Sequence, residues 1–151
     1  MDKQITVREL TVPTDTGLFC QLLRLEDSFL SDIGETPLTE AAKARLKEAV
    51  RAGEITFFLA ERGCRAVGMC SVATCFSTFA CSDIGVFDDF YVESVFRRQG
   101  AARLLAESAQ GWCRERGLAS LTVGCSAEDA AMYQALGFRT HLGTMLACSL
   151  D

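Results

Sequence analysis

Residues 84–113 constrain the fold more than any other stretch of the chain. Ile84-Gly-Val-Phe-Asp-Asp-Phe-Tyr-Val92 is rich in β-branched and aromatic residues and reads as a strand. After a short break, Arg97-Arg-Gln-Gly-Ala-Ala102 opens a helix. Ala101, Leu104, Leu105, Ser108, Ala109, Trp112 and Cys113 recur at three- and four-residue spacing, which draws one helical stripe. Gly117 supplies a left-handed stop. A strand, a small-residue turn and a one-sided helix form a β-α unit that must lie against a sheet.

The turn also has chemistry. The first N–H groups of a helix lack intrahelical partners, and the helix dipole adds positive charge there. Gly100 has no side chain to block approach, and Ala101 and Ala102 are nearly as slight. Arg97, Arg98 and Arg103 bring full charges, with Gln99 between them. Such a turn suits a diphosphate; a surface helix start with incidental arginines is the competing reading. Neither Gly-x-x-x-x-Gly-Lys-Ser/Thr nor Gly-x-Gly-x-x-Gly is present, so P-loop and dinucleotide-fold readings fail.

The remaining elements follow from pattern. Ile5–Leu10 alternates as a first strand, and Thr14-Asp-Thr precedes a capped helix with Leu18, Leu22, Leu23 and Leu25–Phe29 as its apolar positions. Thr39 caps a second helix to about Arg51, ended by Gly53. Ile55–Glu61 and Ala66–Phe76 form a hairpin about Arg62-Gly63; Ser77–Asp83 connects to the strand at Ile84. Leu118–Cys125 is a fifth strand. Ser126-Ala-Glu-Asp129 looks like an N-cap for a helix to Leu136, stopped at Gly137-Phe138. The tail, Thr140–Leu150, is apolar enough for one or two strands around Gly143. The order β-α-α-β-β-β-α-β-α-β predicts an α/β fold, a mixed sheet with helices on both faces, in a single domain spanning residues 1–151.

Charge and cysteine usage narrow the class. A net charge of −5 is a poor match for nucleic acid and suits a cationic or neutral partner better. The N-terminus has no apolar signal core and no run is long enough to span a bilayer, so the chain is expected in the cytoplasm, without a membrane partner. Eight cysteines occur with no Cys-x-x-Cys pair and a single histidine, His141. No metal site is expected, and most of the cysteines are expected to be small buried hydrophobes.

Val92-x-x-x-x-Arg97-Arg98-x-Gly100-x-Ala102 after a strand, followed one β-α step later by Tyr133-Gln-Ala-Leu-Gly137-Phe138, resembles the GNAT N-acetyltransferase superfamily. The likeness runs from about Ala80 to Phe138. Phe76-Ser-Thr-Phe79 with Asp88-Asp-Phe-Tyr-Val92 looks most like the diamine and polyamine acetyltransferase branch. Arg98 and Ala101 depart from a common glycine and an apolar branched residue in the loop, and Ser126 stands where many members carry an asparagine.

The resemblance implies acetyl-CoA as cosubstrate and transfer of its acetyl group to a primary amine of a small, cationic acceptor, by direct attack in a ternary complex. A non-catalytic acyl-CoA-binding or regulatory domain on the same fold is the alternative. The family pattern puts the pyrophosphate on the backbone of Arg98–Arg103 and the pantetheine arm along Phe90, Tyr91 and Val92. Ser126 would contact that arm, or simply cap its helix. Tyr133 would be the general acid, protonated at neutral pH; as a residue pattern alone it reads rather as a core tyrosine beside Met132 and Leu136. Asp88 and Asp89 would anchor or deprotonate the amine, with Glu93 as a weaker candidate. Asp88 shares its parity with Ile84, Val86, Phe90 and Val92, an apolar set; a β-bulge, which the resemblance implies, would redirect it. A strand-edge carboxylate pair is the plainer reading. Glu26, Asp27, Asp32 and Glu35 flank the expected acceptor groove, as attractants for a cation or as solvated charges. Dimers are common in the resembled family, so a homodimer is also expected.

Overall fold

Ala66–Val72 is buried without a break, the mark of a strand covered on both faces. In the computed structural model, which describes residues 4–12 and 15–150, this run is the centre of a five-stranded sheet. The elements are β1 (Ile5–Glu9), α1 (Thr16–Asp32), α2 (Glu40–Arg51), β2 (Ile55–Arg62), β3 (Arg65–Ser77), β4 (Ser82–Val92), a 3-10 turn (Ser94–Phe96), α3 (Ala101–Glu115), β5 (Leu121–Val123) and α4 (Ala130–Ala135). The strands lie in sequence order; β1 to β4 are antiparallel neighbours, and β5 joins β4 in parallel. Through α4 this is the order expected.

Strand alternation divides the core in two. Phe57, Leu59, Met69 and Tyr91 face α1 and α2, where Leu18, Phe19, Leu22 and Leu25 meet them. Phe58, Ala60, Val72, Phe87 and Val92 face α3, which presents Ala101, Leu105, Ala109 and Cys113. The helical stripe of α3 is as expected, except that Leu104 is 36% exposed and Ala106 is buried in its place. Thr39 caps α2 by accepting from the Ala42 N–H at 3.1 Å. At α1, Asp15 occupies the N-cap but accepts instead from Thr11, at 2.8 Å from its hydroxyl; Thr14 lies outside the described residues.

Three expectations change. Residues 140–150 form no strand. β5 holds only three residues, so little ladder is available, and Leu142, Met145, Leu146 and Leu150 are 76–95% exposed. Leu118–Ser120 and Gly124–Cys125 are likewise outside β5. The cysteines are mostly not core: Cys70 and Cys113 are buried, and the other six are exposed and free. They fall on the outward side of α1, at the β2–β3 turn, on the far β3–β4 hairpin, beyond β5 and in the tail, where no second layer covers them.

Gly85 sits where α3, β3 and β5 converge on β4. A Cβ there would stand 2.8 Å from Leu121 Cδ1, 3.0 Å from Val72 Cγ1 and 3.2 Å from Cys113 Sγ. Gly85→Val should therefore overpack by about 1–3 kcal/mol and lower Tm by roughly 2–12 °C in thermal melts. Gly17→Ala is the control: its Cβ meets nothing within 4 Å, and Tm should hold or rise.

Candidate active site

β4 carries one residue more than its partner. Met69 pairs with Tyr91 and Ser71 with Asp88, so Cys70 alone faces both Asp89 and Phe90. The bulge is taken up at Asp89, whose φ is +50°. It reverses the parity of everything after it. Phe90 turns toward the α3 side, Tyr91 toward α1 and Val92 back toward α3. The apolar parity shared by Asp88 and Phe90 is thereby broken, and Asp88 is exposed.

The bulge also ends pairing with β5. β5 contacts only Gly85, Val86 and Phe87. Beyond them, residues 88–92 have β3 on one side and no strand on the other. Their backbone edge can pair with an extended ligand, as an added strand would. An aromatic cluster lines this gap. Phe90 lies 5.2 Å from Phe87 and 5.9 Å from Tyr133, and Phe138 lies 5.9 Å from Tyr133, between ring centroids.

Tyr133 is half-buried in that cluster; of its neighbours, Leu136 is also half-buried and Met132 is exposed. Burial, with the charges of Asp129, Cys125 and Asp88, pushes its phenol up to about 12. The group is protonated at neutral pH and able to donate.

At the other end of β4 the chain enters α3. Gly100 is the N-cap with φ +91°, no side chain caps the helix, and Leu104 N–H is the first to bond back, to the Gly100 carbonyl at 3.1 Å. A Cβ on Gly100 would project into open space. The N–H groups of Ala101, Ala102 and Arg103 precede the first bond of the helix and form a cradle that a phosphate fits. Arg98 holds φ +61°, the left-handed backbone that the commoner glycine adopts freely.

The side chains of the loop divide. Arg97 turns back, donating from Nε to the Val92 carbonyl at 2.8 Å and standing over the Tyr91 ring, with Asp32 at 4.0 Å. It braces the loop against β4 and is not aimed at the cradle. Gln99 likewise accepts from Arg62 at 3.1 Å and donates to the Val95 carbonyl at 3.2 Å. Ser126 accepts from Asp129 N–H at 3.3 Å and donates to its carboxylate at 3.0 Å, the bonding expected of a cap, although α4 proper begins at Ala130.

From Arg103 a groove of about 430 Å³ runs between α3 and α4, lined by Arg103, Arg114, Arg139, Glu107 and Gln110. Three cations to one carboxylate make it basic, on a chain that is acidic as a whole. Arg139 was not legible as a partner of Arg103 and Arg114, because β5 and α4 intervene between it and α3.

The carboxylates also sort. Asp89 is half-buried and accepts from the Ser71 hydroxyl at 2.7 Å. Burial raises its pKa, that bond opposes the rise, and Asp88 adds to it. Glu93 is held by Arg65 at 2.8 Å and Arg24 at 3.1 Å, which makes it a structural anchor. Asp32 accepts from the Tyr91 hydroxyl at 2.9 Å, Asp27 lies 3.7 Å from Lys43, and Glu35 is exposed. Asp27, Asp32 and Tyr91 also border an open cavity of about 650 Å³ beside α1, which Glu26 does not reach.

Glu26 is not a solvated charge. It is 6% exposed, and burial with the charges of Asp89, Asp88 and Asp27 pushes its carboxyl up to about 8. The sequence held the signal. Position 26 is four residues from Leu22 and eight from Leu18, inside the buried stripe of α1. Among the described residues no cluster of His, Cys, Asp or Glu could hold a metal, and no helix is long and apolar enough to cross a membrane.

Solved structures share this architecture. A probable acetyltransferase superposes with a TM-score of 0.81 at 22% identity, over 96% of this chain and 99% of that one. An aminoglycoside acetyltransferase from an uncultured soil metagenomic sample, in complex with trehalose, gives 0.82 at 16%, over 97% of each chain. Glucosamine-6-phosphate N-acetyltransferase from Arabidopsis thaliana gives 0.78 at 17%, over 99% and 100%. A search of curated protein sequences returns no match. The sequence profile of the acetyltransferase (GNAT) domain matches residues 14–146, from before α1 to beyond α4, and the chain belongs to that family.

Proposed function

We propose that this protein transfers an acetyl group from acetyl-CoA to the primary amine of a small cationic acceptor. The observation that carries this reading is the gap beside residues 88–92, which has an uncapped helix N-terminus beyond one end and Asp88 and Asp89 at the other, with Glu26 near enough to feel their charge. The cradle suits a pyrophosphate, the bare edge of β4 suits the amides of a pantetheine arm, and the carboxylates suit an ammonium. A predicted acetyltransferase from Clostridium acetobutylicum, solved with acetyl-CoA, has the same fold at a TM-score of 0.76, 16% identity, over 97% of each chain. The aminoglycoside and glucosamine-6-phosphate enzymes name amine-bearing acceptors of their own. Here the acidic pocket favours a polycationic acceptor over one that carries a phosphate.

In this reading the amine's lone pair attacks the thioester carbonyl while both substrates are bound. A backbone N–H near Tyr91 or Val92 stabilises the oxyanion. The C–S bond then breaks, and Tyr133 gives its phenolic proton to the departing thiolate. Burial of the phenol keeps the proton available until that charge develops.

Thiol release over a panel of amines separates catalysis from simple acyl-CoA binding. Tyr133→Phe should lower kcat by roughly 100-fold and leave the acetyl-CoA KM within about twofold, the signature of a lost proton donor. Tight CoA binding without turnover on any amine would leave the binding-domain reading instead.

Gly100→Val should raise the acetyl-CoA KM by about tenfold or more and change the acceptor KM little, because the side chain fills the cradle. In this reading the basic groove takes the 3′-phosphate of the same ligand. Acetyl-dephospho-CoA should therefore bind about tenfold more weakly than acetyl-CoA, and Arg139→Ala should erase the difference.

A further inference from the structure

Glu26 is the least exposed acidic residue among the described residues, yet no donor reaches it. It makes no hydrogen bond and no ion pair among the described residues. Nor is its carboxylate sealed off, since Asp27 Oδ1 is the one fully buried side-chain oxygen left without a partner there. The Glu26 oxygens therefore keep some contact with solvent, although the residue as a whole is only 6% exposed.

Its surroundings are anionic from every side that packs on it. β4 contributes Asp89 and Asp88; α1 itself contributes Asp27. β3 contributes the Ser71 hydroxyl, which is spent on Asp89. α2 contributes Lys43, which is taken by Asp27 at 3.7 Å and Glu40 at 3.4 Å. A buried carboxyl among carboxylates, with no cation of the protein's own, is a group waiting for one from outside.

The other carboxylates are committed or exposed. Glu93 is fixed by two arginines, Asp89 is held by Ser71, and Asp88 is at the surface.

We propose that Glu26, on helix α1, is the base that takes the proton from the acceptor's ammonium group, while Asp88 and Asp89 hold the cation beside it. The inference rests on the acetyltransferase reading and restricts it to acceptors that arrive as primary ammonium ions. The ionised Glu26 carboxylate accepts one N–H proton. The freed lone pair forms the C–N bond, the nitrogen sheds its second N–H proton to solvent, the C–S bond breaks, and the thiolate takes the Tyr133 proton. Solvent then reprotonates Tyr133, and Glu26 returns its proton to solvent. One ammonium and one thioester give one amide, one thiol and one proton.

The thermodynamics fit. An alkylammonium near 10 and a carboxyl at its ordinary 4.5 are badly matched for proton transfer; with Glu26 at about 8 the gap is about two pKa units.

Two measurements on wild type and Glu26→Gln test this. The first needs no activity. The folded pKa of Glu26 lies above its unfolded value of 4.5, so the folded state holds the extra proton and loses stability as pH rises from about 4.5 to 8. Glu26→Gln should therefore melt higher than wild type by a margin that widens from pH 5 to pH 8.5; a constant margin overturns the proposal.

The second is the pH profile of kcat/KM for whichever amine of the panel supports thiol release. Wild type should rise to about pH 8 and then level until the amine's own pKa. Glu26→Gln should be at least about 100-fold slower at pH 8 and rise unbroken toward that pKa, with the acetyl-CoA KM within about twofold of wild type. Equal profiles for the two proteins sink the assignment of Glu26 and leave the acetyltransferase reading standing. A wild-type protein that releases no thiol with any amine sinks both.

Discussion

One extra residue in β4 organises this molecule. An uninterrupted strand would have continued its ladder with β5 and closed the sheet. The bulge at Asp89 instead reverses the facing of Phe90, Tyr91 and Val92 and leaves five residues of β4 bare along one edge. Bulges commonly end pairing and re-aim side chains. Here both effects serve one cleft. The bare edge is a template for an extended ligand, and the re-aimed Phe90 joins Phe87, Tyr133 and Phe138 as one wall.

The cleft is also electrically polarised along its length. At the α3 end, unpaired N–H groups, Arg98 and Arg103 favour phosphate. At the α1 end, Glu26, Asp88 and Asp89 favour a cation. The two ends are kept apart by neutralising the charges between them: Arg97 braces β4 near Asp32, and Arg24 and Arg65 satisfy Glu93. An anionic cosubstrate and a cationic acceptor would each be drawn to a different end and repelled from the other. The net charge of −5 describes neither end, which is why the whole-chain figure argues well about nucleic acid and poorly about the site.

The local part of this design was legible. The strand at Ile84–Val92, the helix from Ala101, its opening at Gly100 and the cap at Thr39 follow from residue order alone, because each is set by neighbours within a turn or two. Resemblance supplied the bulge and the interest in Tyr133. Long-range facts were not legible. Glu26 meets Asp89 only because α1 folds back across β3 and β4, and Arg103 meets Arg139 only after β5 and α4 have intervened. The tail shows the opposite failure. Its apolar residues satisfy a strand pattern, but a pattern without an available edge does not make a strand, and β5 is three residues long. Cysteine misled for a related reason: its usual burial reflects available core, and six of the eight positions lie where there is none.

Strain points to the same cleft as the charges. Among the described residues only Cys81, Asp89 and Arg98 hold a positive φ without being glycine. Two of the three stand at the two ends of the bare strand. Aspartate tolerates the left-handed region comparatively well, and Asp89 has the Asp88 carboxylate accepting its N–H at 2.9 Å to steady it. Arginine has no such excuse. A left-handed L-residue costs about 1–2 kcal/mol, which glycine at position 98 would avoid. Such strain persists where the surrounding structure fixes the conformation and something is gained from the side chain. What Arg98 offers in return is an exposed basic side chain two residues before the Gly100 cap, where Arg97 and Gln99 have turned away to hold the loop. The charge expected of the whole Arg-Arg-Gln run thus falls, within the loop itself, to its most strained residue.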